Sequence, residues 1–176
     1  MEFPASLAAR VRELARVRAD EPAYLIDDRT LDWRGYDQAA DRLARALLAL
    51  GLPAGATVAV WVPDGPAFHI AFQATERAGL VCLGLGARCG ERELAHLLRL
   101  SGARTLLSAP SMGGVDTPER VESLRSHGLE IDTHLVTHGD AFIDDAITHR
   151  GQEASLAKIE ALEGGGLAAH ETSLFN

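Results

Sequence analysis

Cysteine is scarce in this chain of 176 residues: Cys82 and Cys89 are the only two. Two cysteines cannot build a disulfide scaffold, and alone they cannot complete a structural zinc site. Both lie within an apolar stretch, where free thiols are commonly buried, and this fits a reducing compartment. Lysine is scarcer still. Lys158 is the one lysine, so arginine supplies the other 16 of 17 basic residues; the abundance of Ala, Gly and Arg points to GC-rich coding as the cause. No run approaches the ~20 apolar residues that span a bilayer. The N-terminal residues carry acids early and no apolar run of secretory length, so no signal-peptide pattern is present. The expectation is a cytoplasmic protein with no membrane span.

Catalytic signatures are missing too. No serine sits in a G-x-S-x-G elbow, no G-x-x-x-x-G-K-[ST] loop exists, and Lys158 has no glycine-rich approach. Acids outnumber bases by 25 to 17, a formal charge of −8. That balance favours neither a phosphate backbone nor an anionic membrane, so no nucleic acid is expected as partner.

What is present is an ordinary globular composition, 47% hydrophobic and 24% charged. A chain of this size can bury roughly 70% of its unfolded surface. Ser6 stands where a helix N-cap belongs, and Leu7, Val11, Leu14 and Val17 follow at helical spacing. Ala23–Ile26 and Thr30–Trp33 flank the polar turn Asp27-Asp28-Arg29 and read as a hairpin; Asp is a turn former, which outweighs a catalytic role for this acid pair. Tyr36, Ala39, Ala40, Leu43, Leu47 and Leu50 form one helical stripe, with Gly51 placed to end the helix.

An alternation then sets in. Thr57–Val62, Leu80–Leu85 and Thr105–Ser108 read as buried strands. Between them lie a helix with Phe68, Ala71, Phe72, Thr75 and Ala78 inward and a helix over Glu91–Leu100 ended by Gly102. Strand–helix alternation of this kind predicts an α/β fold, a parallel sheet with helices on both faces. Further on, residues 109–116 read as a loop, Thr117–Ser126 as a helix, Thr133–Thr137 as an edge strand and Glu153–Leu162 as a short helix. Gly164–Gly166 reads as a hinge. The expected organisation is an N-terminal helix over 1–22, an α/β core over 23–108, a peripheral α/β segment over 109–163 and a hinge-like tail over 164–176.

Two clusters invite a ligand. Gly84, Gly86 and Gly90 follow a strand and precede a helix, the place of a dinucleotide fingerprint, but the third glycine comes one residue too late and no ribose-binding acid ends the next strand. A tight strand-to-helix turn is the favoured reading. His134, His138 and His149, with Asp140, Asp144 and Asp145, crowd the C-terminal third; on a strand the spacing of His134 and His138 exceeds the reach of one metal. Solvated histidines are favoured and no metal site is expected.

Taken in order, several segments resemble the start of the adenylate-forming, AMP-binding acyl-CoA synthetase family. Ala23–Trp33 is similar to its opening hairpin and Tyr36–Gly51 to its first helix. Gly55–Val60 resembles the glycine–aspartate–x–valine strand entry. Pro66–Gly79 is similar to the helix ending in lysine–alanine–glycine, and Glu91–Leu98 with Ser101–Arg104 to the next helix and its serine–glycine–alanine end. The resemblance implies the N-terminal subdomain of the adenylate-forming ligase fold.

Departures accompany it. Ala56 replaces the usual aspartate, Asp64 stands where asparagine is common, and Gly84, Gly86 and Ala87 replace a proline, an asparagine or aspartate, and a proline. The family's Thr-Ser-Gly-Thr-Thr-Gly-x-Pro-Lys-Gly phosphate loop and its later ribose-binding aspartate and lysine do not occur in this sequence, while Leu174–Asn176 resembles the strand running into that loop. The resemblance therefore implies ATP, Mg²⁺ and CoA for a complete enzyme, none bound by this chain alone, and no catalytic residue here. It also implies a place for Arg88 near the CoA entrance. The expected partner is the remainder of a longer ligase or a second copy, as a homo-oligomer. The competing reading is a stand-alone, non-catalytic interaction or regulatory module derived from that family.

Overall fold

The computed structural model describes residues 6–137 and the backbone of strands 146–149 and 152–155. Ser6 caps α1 (Leu7–Val17), accepting a hydrogen bond from the Ala9 amide at 3.0 Å. β1 (Pro22–Ile26) and β2 (Arg29–Asp32) form the expected hairpin, with Ile26 paired to Arg29. Asp27 takes φ of 51° in its turn, a conformation aspartate tolerates better than most residues. Asp32 then caps α2 (Trp33–Ala49) by accepting from the Gly35 amide at 2.7 Å.

The central alternation runs β3 (Thr57–Trp61), α3 (Pro66–Arg77), β4 (Val81–Gly84), α4 (Glu91–Ser101) and β5 (Thr105–Ser108). A small hairpin, β6 (Ser111–Met112) and β7 (Val115–Asp116), precedes α5 (Thr117–Ser126), and β8 (Thr133–Thr137), β9 (Ala146–His149) and β10 (Gln152–Ser155) follow. The large sheet has the order β10-β9-β8-β5-β3-β4. β8, β5, β3 and β4 are parallel, whereas β9 and β10 add antiparallel. The three strands expected in one parallel sheet lie side by side in the order β5-β3-β4, with Ala59 opposite both Leu83 and Leu106.

Alternating side chains of β3 divide the core. Val58 and Val60 pack with Leu43, Leu47, Ile70 and Ala74 of α2 and α3 on one face. Ala59 and Trp61 pack with Leu94 and Leu98 of α4 and Val121 and Leu124 of α5 on the other. Helices thus cover both faces, as expected.

Several local expectations are corrected. The apolar run at Leu80–Leu85 is not a buried central strand: β4 is the sheet's edge, and Val81 is 51% exposed. α3 does not turn Phe72 inward; Phe72 is 39% exposed, while Ala67, Ile70, Ala71 and Ala74 are buried. The alanines let α3 approach α2 closely, and this rotates Arg77 into the interface, where it is fully buried. Its guanidinium donates to Asp37 Oδ1 at 2.7 Å, Asp41 Oδ1 at 2.6 Å and the Asp37 carbonyl at 3.1 Å. Pairing of this sort is what makes a buried cation tolerable. Arg12 of α1 reaches the same Asp41 oxygen at 3.2 Å and ties in a third helix.

Within 109–116, Gly113 and Gly114 have φ of 58° and 80°, which closes the β6–β7 turn in place of an irregular loop. Thr133–Thr137 is a strand but not an edge, because β9 pairs against it. Glu153–Ser155 belongs to β10, so sheet pairing overrides the amphipathic pattern that suggested a helix from Glu153. The rest of that helix, the Gly164–Gly166 hinge, the tail, and His138, Asp140, Asp144 and Asp145 lie outside the described residues.

Candidate functional site

The order of the parallel strands locates a crevice. From β3 the chain crosses through α3 to β4 on one side, then through α4 over the opposite face to β5 on the other. The connections diverge at the C-terminal ends of β3 and β5, the place where open α/β sheets bind ligands. There the Ala109 amide donates to the Trp61 carbonyl at 3.2 Å, joining the two strand ends.

Three segments rim this point: the turn after β3, the loop after β4 and the β6–β7 hairpin. The indole N–H of buried Trp61 donates to the Gly86 carbonyl at 3.2 Å, and the Cys89 amide closes a turn onto the same carbonyl at 2.9 Å. A Cβ added at Gly113 would sit 3.7 Å from the Ala87 carbonyl, so the hairpin lies against this loop. Gly84 is needed sterically: a Cβ there would stand 2.9 Å from the Phe68 ring. Gly86 and Gly90 have open space where a side chain would be and no left-handed φ. The glycine cluster is therefore a strand-to-helix turn, as favoured, and only its first glycine has a packing reason. Arg88 is exposed in that turn and has no ion pair among the described residues.

Beside the crevice lies a buried polar cluster of Ser108, Thr117 and His134, which no sequence motif announced. Ser108 Oγ is 2.9 Å from His134 Nε2 and 2.9 Å from Thr117 Oγ1. Ser108 and His134 come from neighbouring strands 26 residues apart in sequence. A serine–histidine pair at this distance has the look of a nucleophile and its base. The proton count rules that role out. Thr117 Oγ1 lies 2.5 Å from the Ala109 carbonyl, which can only accept, so the Thr117 proton points there. Ser108 must then donate to Thr117, and its oxygen accepts from His134 Nε2–H. The imidazole holds its proton toward the serine and cannot remove one from it. Burial, reinforced by the charge of Arg125, lowers the His134 pKa from 6.5 to about 4 and keeps the ring neutral. Thr137 Oγ1 completes the cluster by donating to the Ser108 carbonyl at 3.3 Å. It is a polar clasp joining β5, β8 and α5.

His134 is thus occupied by protein. Among the described residues no three histidine, cysteine, aspartate or glutamate side chains gather in a way that could hold a metal. Both cysteines are unpaired and half-buried rather than fully buried. Burial raises both thiol pKa values, with Glu93 adding to the effect at Cys89, so neither is a ready thiolate. A further polar contact, Tyr24 Oη to His69 Nδ1 at 2.9 Å with stacked rings, fastens the β1–β2 hairpin to α3 and lies outside the crevice.

Similarity to known proteins agrees with this architecture. The sequence model of the family described as AMP-binding enzyme matches residues 11–168. The chain is 38% identical over 104 residues to the phosphinothricin tripeptide synthetase PhsC of Streptomyces viridochromogenes, covering 59% of this chain and 10% of that protein. It is 35% identical over 114 residues to the salicyl-AMP ligase / salicyl-S-ArCP synthetase of Mycobacterium tuberculosis, covering 62% of this chain and 19% of that one. The apo structure of Mycobacterium smegmatis MbtA superposes with a TM-score of 0.66 at 25% identity, over 94% of this chain and 29% of the other. The chain spans about a tenth to a fifth of the length of these two curated relatives.

Proposed function

The chain belongs to the AMP-binding enzyme family, and from that premise we propose that it is the N-terminal α/β subdomain of an acid:thiol ligase, inactive without the rest of such an enzyme. The observation that carries this reading is the family match over residues 11–168 in a sequence without the phosphate loop. In the complete enzyme a carboxylate would attack the α-phosphate of ATP, giving an acyl-adenylate and pyrophosphate. A thiol such as CoA would then displace AMP. Both steps depend on positioning and on stabilising charge where it develops.

The described residues supply a scaffold for that chemistry rather than its reacting groups. Among the described residues the Ser108–His134 pair beside the crevice is no activated nucleophile, since its proton points the wrong way. Arg88 is the group of this chain best suited to a ligand. It is an exposed guanidinium in the turn before α4, and its fork suits a phosphate of CoA. The proposed core is 23–108, the proposed location is the cytoplasm, and the proposed partners are the remainder of a ligase or a second copy.

Calorimetric titration of ATP with Mg²⁺ into the chain tests this reading. No saturable heat is expected up to millimolar nucleotide. Saturable binding at tens of micromolar would place a nucleotide site within this chain and overturn it.

A further inference from the structure

The large sheet ends on β4 without any of the features that usually close an edge. Val81–Gly84 holds no charge, no proline and no bulge, and no charged residue stands between Arg77 and Arg88. The opposite edge, β10, carries Glu153. The inner side of β4 fixes its hydrogen-bond phase: the Val81 and Leu85 amides donate to the Ala56 and Val60 carbonyls, each at 2.9 Å. Alternation along the strand then turns the N–H and C=O of Cys82 and Gly84 outward, where no backbone group among the described residues meets them. Both flanks of this edge are apolar. On the α4 side Val81 is exposed. On the other side runs one stripe of α3: Phe68 stands over Gly84, Thr75 stands beside the Cys82 thiol, and exposed Phe72 lies between them.

We propose that a second copy of this chain pairs with this edge, β4 antiparallel to β4 about a twofold axis at Leu83, so that the two six-stranded sheets become one. The phase selects that occupant. The outward residues stand one on each side of Leu83. A copy turned about that axis sets Cys82 opposite the copy's Gly84 and Gly84 opposite the copy's Cys82, and each pair exchanges both backbone bonds. Every donor and acceptor that the strand turns outward is thereby met by the same strand. A shift of one residue opposes outward groups to inward ones, and a shift of two carries a pair beyond the strand. In this register Phe68 and Phe72 extend toward the copy's Cys82, a contact of sulfur with aromatic rings, and Val81 comes opposite the copy's Leu85. Charge narrows the choice as well. A chain of net charge −8 repels a second copy in most approaches, but here no charged side chain lies on either strand. The proposal rests on the sheet edge alone and is independent of the ligase reading.

Sedimentation velocity of the full chain should show a concentration-dependent dimer in the micromolar range. Val81→Lys alters an exposed side chain and should raise the dissociation constant about tenfold or more, because a charge replaces an apolar contact at the seam. Register is read by cross-linking in a Cys82→Ser/Cys89→Ser chain under oxidised and reduced glutathione. Leu83 faces the copy's Leu83 as a non-hydrogen-bonded pair, about 4.5 Å between Cα atoms, within reach of a disulfide. Leu83→Cys should therefore give a covalent dimer in denaturing electrophoresis. Val81→Cys should not, because its twin lies four residues along the seam. If Val81→Lys does not fold, circular dichroism shows it and the cross-linking pair decides. A strict monomer, a dimer unmoved by Val81→Lys in a folded chain, linkage through Val81→Cys, or failure of Leu83→Cys to link each overturns the proposal.

Discussion

Acid should loosen this fold through one imidazole. His134 is neutral inside the β5–β8–α5 clasp and titrates at about 4, against 6.5 for a free histidine. In the unfolded chain the same ring takes its proton near 6.5. Between those values the unfolded state binds more protons than the folded one, so stability falls as the pH falls through this window. Below about 4 the loss levels off, because both states are then protonated. At roughly 1.4 kcal/mol per pH unit the gap corresponds to about 3 kcal/mol, a large share of the roughly 5–15 kcal/mol of a typical domain. Carboxylates titrate in the same range, so the comparison must be with a variant lacking only this group. His134→Gln keeps an N–H for Ser108 and has nothing to protonate. Urea unfolding followed by tryptophan fluorescence, at steps from pH 7 to pH 4, should show the parent chain losing about 3 kcal/mol more than the variant. Parallel pH dependences for the two chains, or an NMR midpoint near 6.5 for the His134 ring, would refute the argument.

Three other outcomes follow from named contacts. Arg77→Met removes the buried cation shared by Asp37 and Asp41, leaving Asp41 with the half-exposed Arg12, and should cost about 3 kcal/mol in urea unfolding; adding Asp37→Asn should recover part of the loss, and no recovery would mean the loss is one of packing. In a complete ligase carrying this segment, Arg88→Ala should raise KM for CoA several-fold and leave the adenylation half-reaction nearly unchanged. Equal losses in both half-reactions would indicate a folding defect, and no change would make Arg88 a surface residue. Under the proposed subdomain reading the chain alone would expose apolar surface that the rest of a ligase covers, so light scattering should show a dimer or larger species at micromolar concentration; a strict monomer contradicts this.

Local signals made much of the fold legible, because they are set by neighbours in the chain. Ser6 caps α1 as expected, Pro66 opens α3, and Gly51 and Gly102 follow their helices at φ of 65° and 66°. Strand adjacency was legible because helical crossovers force parallel neighbours. What failed depended on the third dimension. A run such as Val81–Gly84 is equally apolar in the middle of a sheet or at its rim. Burial of Arg77 required knowing that Asp37 and Asp41 lie across the helix interface, 40 and 36 residues earlier. The Ser108–Thr117–His134 clasp likewise brings together residues with no shared motif, and its inertness rests on proton directions that no spacing encodes. Arg88 was picked out by resemblance; the structure leaves it exposed in a turn, with its ligand still to be tested.

The central claim is that this segment forms the scaffold of an adenylating enzyme and lacks its chemistry. Exchange of labelled pyrophosphate into ATP, with Mg²⁺ and a panel of aryl and alkyl carboxylates, tests it most directly. The repurified chain is predicted to give exchange no faster than a blank without protein. Carboxylate-dependent exchange that copurifies with the chain and scales with its concentration would contradict the account.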